Sequence, residues 1–175
     1  MLLNNDLINP GLARVETQRR SFFRQANSAD IPAMSEIRLG VTENILSDSS
    51  QVTEEMYEDF LEKSGRGWVA ENSGHIVAFC YADKENASIW ALFVRPGHEG
   101  QGLGQTLLEE AASWLFNIGH DCVYLTTGAN TRADRFYSAQ GWTRAPVSAT
   151  EVGYSLKRRA PGYEGVGRPA QRLRL

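Results

Sequence analysis

Cysteine is scarce in this 175-residue chain, which has only Cys80 and Cys122. Both stand in apolar, strand-like surroundings, and a pair without metal-ligand spacing reads as two reduced core thiols rather than a disulfide or a ligand set. Long apolar runs are missing as well, since none approaches the roughly 20 residues a membrane-spanning helix needs. The opening stretch MLLNNDLINPGLARVETQRR lacks the compact apolar segment and cleavage site of a secretion signal. A cytoplasmic protein with no membrane partner is therefore the expectation. Internal repeats and long linkers are absent too, which excludes solenoids and tandem domains. What is present, 42% hydrophobic and 22% charged side chains, is the profile of one globular domain with a real core.

Charge is unevenly spread. The formal total is −3, yet the end of the chain carries Lys157, Arg158, Arg159, Arg168, Arg172 and Arg174 against Glu164, which leaves the body acidic. Without regular aromatic interleaving, this basic tail reads as a solvated extension, and nucleic acid is not an expected partner. The chain divides into an N-terminal arm (1–20), a body (21–157) and the tail (158–175).

Hydrophobic periodicity orders the body. SFFRQA from Ser21 reads as a strand, and Asp30 as the N-cap of a helix with Ile31, Met34, Ile37 and Arg38 on one side, ending near Gly40. VTENILSDSSQ has no clean period. Thr53 is placed to cap a second helix with Met56, Tyr57, Phe60 and Leu61 at helical spacing, stopping at SGRG. WVAE, HIVAFCYAD and ASIWALFV read as three antiparallel strands, the first two joined at NSG. After a glycine knot, Leu103, Leu107, Leu108, Ala111, Ala112, Leu115 and Phe116 mark one face of a helix that Gly119 ends. CVYLTT reads as a buried strand. Asn130 or Thr131 caps a short helix carrying Ala133, Phe136 and Tyr137, and WTRAPV with EVGYSLK forms a closing hairpin. A crossover through the long helix makes ASIWALFV and CVYLTT parallel neighbours. The expected fold is α/β of the α+β type, a mixed, mainly antiparallel sheet of about seven strands flanked by helices.

The glycines of VRPGHEGQGLGQTLLEEA stand between a strand and a helix start, where unpaired N–H groups and the positive end of the helix dipole suit an anion. A P-loop is a poor fit, because Gln105 stands where an ammonium should meet the phosphates. A dinucleotide fingerprint is a poor fit too, because Gly100, Gly102 and Gly104 come mid-chain with the wrong spacing.

ALFVRPGHEGQGLGQTLLEEA, followed by YLTTGANTRADRFYSAQGW, resembles the GNAT superfamily of acetyl-CoA-dependent N-acetyltransferases. The first stretch is similar to that family's V-x-P and Q/R-x-x-G-x-G/A pattern, the second to its L-x-T, N-x-x-A, F-Y and closing G-W. ANSADIPAMSEIR is similar to its first helix. The resemblance implies acetyl-CoA as co-substrate, with no metal, and a gap beside ALFV where the free backbone of Leu92, Phe93 and Val94 pairs with the pantetheine amides. It places Glu99, Gly100, Gln101, Gly102, Leu103, Gly104, Gln105 and Thr106 around the pyrophosphate. A backbone N–H near Phe93 or Val94 then faces the thioester oxygen. Tyr137 falls where the family's usual general-acid tyrosine stands, and Phe136 and Tyr137, as neighbours in sequence, are expected on different faces of their helix. Asn130 matches a residue that contacts the pantetheine arm, with a plain capping role as the alternative. One position departs from the pattern: Glu99 replaces Gln or Arg and brings a carboxylate close to phosphates, which repels them. Gln101 is a neutral substitute donor.

The expected partner is an amine acceptor, small molecule or peptide, and a homodimer is compatible with the resemblance. Candidates to receive or relay the acceptor's proton are Glu43 and a water held by Thr126, with His98 a lesser one. Trp90 and Tyr57 are candidate pocket walls with aromatic core as the alternative. No Cys or Ser has an activating base partner, which points to direct attack on the thioester. The alternative is a catalytically silent acyl-CoA-binding module.

Overall fold

The computed structural model describes residues 21–41 and 54–159; the N-terminal arm, Glu43, Thr53 and the tail beyond residue 159 lie outside them. Strand β1 (Phe22–Gln25) leads through a short 3-10 turn into helix α1 (Ile31–Gly40), followed by α2 (Glu54–Asp59). Next come β2 (Gly65–Asn72), β3 (His75–Asp83) and β4 (Ser88–Val94), then α3 (Leu103–Asn117), β5 (Cys122–Gly128), α4 (Arg132–Ala139), β6 (Thr143–Pro146) and β7 (Glu151–Lys157). The seven strands form one sheet in the order β1-β2-β3-β4-β5-β7-β6. Every pairing is antiparallel except β4 with β5.

Each face of the sheet has its own core. Leu103, Leu107, Leu108, Ala111, Ala112 and Leu115 of α3 and Tyr137 of α4 cover one face, against Ala78, Cys80, Ile89, Val123, Leu125 and Val152. Ile31, Met34 and Ile37 of α1 and Tyr57 of α2 cover the other, against Val69, Phe79, Tyr81 and Ala91. Burying one such aliphatic or aromatic side chain contributes about 1.5–3 kcal/mol, so the i, i+4 spacing of α3 is enough to seat it. Cys80 is buried and Cys122 partly so, and both are free thiols. Burial pushes the Cys80 thiol well above its ordinary pKa.

Three local expectations are corrected. Asp30 stands at the N-cap of α1, but its carboxylate turns back to accept from the Asn27 N–H at 2.9 Å and from the Arg24 guanidinium at 2.7 and 2.8 Å. Pro32 in the first turn leaves one fewer donor to cap, and Asn27 caps the preceding 3-10 turn instead. Helix α2 ends at Asp59 and passes into a π turn, Phe60–Ser64, rather than running on as an α-helix, and Met56 is exposed. β5 alternates rather than being buried throughout: Val123, Leu125 and Thr127 point inward, while Tyr124 is 51% exposed and Thr126 is also exposed. Among the described residues, helices cover only one face of that end of the sheet.

Candidate active site

The site begins with one extra residue. In the β3–β4 ladder Tyr81 pairs with Ala91 and Ala82 with Ile89, so Trp90 is a bulge. The bulge breaks the alternation of β4. Ile89 faces the α3 core, Trp90 and Ala91 face the α1 core, and from there Leu92 and Val94 return to the α3 side while Phe93 stays with α1. On its other edge β4 shares a single register pair with β5, Ser88 with Tyr124, backed by Tyr124 N–H donating to the Ala87 carbonyl at 2.9 Å. Beyond that rung the strands part, and the edge of Leu92, Phe93 and Val94 opens on a groove of about 560 Å³.

The loop after β4 closes one end of the groove. Gly97, Gly100 and Gly102 have φ of 87°, 73° and 79°, left-handed angles that a side chain would strain. Gly102 is the N-cap of α3 and supplies no side-chain cap, so the first N–H groups of α3 are left for another acceptor. Gly104 serves a different purpose: a Cβ there would lie 3.6 Å from Phe136 and 3.7 Å from Val94, which brings α4 close to the start of α3. Helix α4 is aimed by its own polar network. Thr131 Oγ1 accepts from Asp134 N–H at 3.2 Å and donates to the Gly128 carbonyl at 2.8 Å, while the Asp134 carboxylate accepts from Asn130 N–H, Arg144 and the Tyr154 hydroxyl. Those partners, Arg144 foremost, hold the Asp134 carboxyl well below the usual carboxylate range.

Of the residues expected to bind a cofactor, Leu92, Phe93, Val94, Glu99, Gly100, Gly102, Leu103, Gly104 and Gln105 line the groove, and so does Tyr137. Tyr137 is packed against Phe136, Trp142 and Tyr154 at 5.1, 6.2 and 5.5 Å between ring centroids. Burial pushes its phenol far above the ordinary value, so the hydroxyl is protonated throughout the neutral range. The expectation that Phe136 and Tyr137 lie on different helix faces is wrong. Their rings meet edge to face, because a 100° step and a common lean toward the helix start leave both on one broad face.

Other expected residues stand elsewhere. Gln101 is exposed outside the groove wall, and Thr106 donates its hydroxyl to the Gly102 carbonyl at 3.3 Å. Asn130 is exposed on the far side of α4, held at φ 63°, where it serves the turn before the helix. Trp90 packs against Tyr57 and Tyr81 at 5.9 and 5.8 Å, in the α1-side core, and Thr126 faces outward from β5. Sequence reasoning missed Gly40 and Val41 at the end of α1, and Thr131, Arg132 and Gln140 around α4. Arg132 carried a readable signal: a cation in the first turn of a helix stands at the positive end of the dipole and calls for an anion. That anion is Glu99, 3.3 Å away across the groove. Glu99 also accepts from Gly97 N–H at 2.7 Å, and its own N–H, that of Gly97 and Arg132 lower its carboxyl pKa.

A strand edge, an uncapped helix start and a buried phenol thus converge on one groove. A family model described as acetyltransferase (GNAT) family matches residues 31–142, more than half of the sequence. The chain belongs to the GNAT acetyltransferase family. It is 37% identical over 94 residues to a mycothiol acetyltransferase of Sanguibacter keddieii, a match spanning 48% of this chain and 30% of that protein, so the chain covers about a third of that relative's length. Among solved structures it superposes on the PaiA N-acetyltransferase of Thermoplasma acidophilum in complex with coenzyme A (TM-score 0.69, 13% identity, 79% of this chain and 99% of that one). It also superposes on the ribosomal-protein-S18-alanine N-acetyltransferase of Escherichia coli (TM-score 0.66, 18% identity, 83% and 98%). At these identities the likeness is one of fold, and it agrees with the mixed seven-stranded sheet of this GNAT chain. Among its described residues no helix is long and apolar enough to cross a membrane, and no three His, Cys, Asp or Glu side chains gather as a metal site.

Proposed function

We propose that the chain is an N-acetyltransferase that moves an acetyl group from acetyl-CoA to a primary amine by direct attack. The observation that carries this reading is the parting of β4 from β5 after one rung, directly above the uncapped start of α3. An elongated molecule with amides along its arm and a diphosphate at one end meets there a strand edge followed by a cluster of N–H donors. The groove fits it in chemistry as well: Val94, Leu103 and Phe136 give apolar walls, and Gly100 and Gly102 leave open space where a Cβ would stand. When bound, acetyl-CoA supplies an activated thioester carbonyl and a thiolate leaving group.

The chain's own residues then divide the work. Backbone N–H groups of the parted segment of β4 donate to the carbonyl oxygen as negative charge grows on it, a contribution of about 10²–10³ in rate at comparable acyl-transfer sites. Tyr137 holds a proton on its hydroxyl at the groove wall and donates it to the departing sulfur. The amine attacks as its free base; its proton passes to solvent, with Glu43 as a candidate relay. Bonds balance without a covalent enzyme intermediate: the C–N bond forms, the C–S bond breaks, and the thiol leaves protonated.

The test is paired. Calorimetric titration with coenzyme A is expected to show saturable binding, and acetyl-CoA with a panel of primary amines is expected to release thiol in step with acetylated amine. No heat at millimolar coenzyme A overturns the reading. Binding without thiol release for any amine leaves an acyl-CoA-binding module.

A further inference from the structure

We infer that Arg132 is a phosphate-binding residue held in reserve by Glu99, so that the ion pair across the groove is a strap that opens onto the phosphates of the incoming coenzyme. The inference rests on the reading above and deepens it. Glu99 belongs to the loop before α3 and Arg132 to the first turn of α4, and both line the same groove. Their contact, Arg132 Nη1 to Glu99 Oε1 at 3.3 Å, therefore spans it.

The two partners are not equally fixed. The Glu99 carboxylate is folded onto the loop backbone by Gly97 N–H at 2.7 Å and by its own N–H. Arg132 is 53% exposed at the end of a long side chain, so it is the partner free to turn. Little holds it back, because an exposed ion pair contributes little net stability. A phosphate offers it more, since an Arg guanidinium binds phosphate oxygens through two parallel charge-assisted hydrogen bonds.

Its place also needs explaining. A cation in the first turn of a helix is disfavoured by the dipole; Glu99 offsets that penalty in the ion pair, and a phosphate in the groove offsets it in Glu99's place. Among the described residues of the groove wall Arg132 is the one permanently charged cation, while Glu99 puts a carboxylate where diphosphate must come. Moving Arg132 from carboxylate to phosphate offsets that repulsion. Nearby arginines are otherwise engaged: Arg135 donates to the Asn130 carbonyl and Arg95 to Glu36.

The experiment is calorimetric titration of the whole chain and of Arg132→Gln and Glu99→Gln, with coenzyme A, dephospho-coenzyme A and pantetheine, at low and high salt; thermal melts check that each variant is folded. Arg132→Gln is expected to weaken coenzyme A by about tenfold, flatten its salt dependence and leave pantetheine unchanged. Glu99→Gln is expected to tighten coenzyme A by roughly threefold to tenfold, since it frees the guanidinium and removes a like charge. A loss in Arg132→Gln that persists with dephospho-coenzyme A assigns the contact to the diphosphate; a loss confined to coenzyme A assigns it to the 3′-phosphate. Unchanged affinity in Arg132→Gln, equal weakening for pantetheine, or no tightening in Glu99→Gln overturns the inference while acetyl-CoA binding stands. Failure of the unaltered chain to bind coenzyme A overturns the proposed function and this inference with it.

Discussion

Tyr137 reaches the groove from within a cluster of rings that strips water from its phenol and drives its pKa upward. Because the shift is upward, the proton-donating form persists through neutral and moderately alkaline solution. Tyr137→Phe is therefore expected to lower kcat by about 10²-fold with little change in coenzyme affinity. On the proposed activity, the unaltered chain's rate should show no alkaline fall below pH of about 10 that the variant lacks. Steady-state kinetics across pH checks both. The glycines make a second test. Gly102→Ala keeps open space around the new methyl but forces an alanine to φ 79°, at about 1–2 kcal/mol, whereas Gly104→Ala makes ordinary contact with Phe136 and Val94 and is expected to be neutral or stabilising. Urea unfolding of the pair distinguishes them. At this scale the place of a residue was legible wherever it depends on backbone or on a motif position, as for Gly102 at the start of α3 and Tyr137 on the groove wall. It was not legible for Glu99, whose counter-ion lies 33 residues away and is brought to it only by the fold.

The long helix was readable from apolar spacing alone: Leu103 to Leu115 repeat at intervals that bury one face, and the structure seats that face on the sheet. The bulge at Trp90 was not, because one extra residue in a strand shows only against the register of its partner. That bulge is what carries Trp90 into the α1-side core instead of the groove. Packing between elements yields two further predictions. A methyl added at Gly67 would lie 2.9 Å from Leu61, 3.0 Å from Tyr81 and 3.1 Å from Ala26, so Gly67→Ala is expected to lose about 1–3 kcal/mol in urea unfolding through overpacking where α2 and its π turn meet β2. Asp134→Asn is expected to lower the thermal midpoint more than Glu36→Gln does. The first disturbs the carboxylate's bonds from Arg144, the Tyr154 hydroxyl and the Asn130 N–H together, the second only an exposed pair with Arg95.

For the molecule as a whole, acid is the informative stress. Asp30 and Asp134 have carboxyl pKa values lowered chiefly by their hydrogen-bonded arginines, Arg24 and Arg144. A folded value below the unfolded one means that their stabilisation is complete above the ordinary carboxylate pKa of about 4 and is lost as pH falls through the folded values. The urea midpoint is thus expected to hold level from neutrality to about pH 5 and drop below about pH 4, with a shallower drop in Asp134→Asn. These arginines tie distant segments: Arg24 links β1 to Asp30 and to Glu71 of β2. Arg158 donates to the Phe116 and His120 carbonyls and so caps the end of α3 where the tail begins.

The lone rung between Ser88 and Tyr124 has a mechanical consequence. Within the sheet two blankets of strands are stitched at one point, so that seam is the natural place for the protein to breathe. A ligand lying along the seam would act as a splint, and amide exchange on both sides of it should slow together when it is occupied.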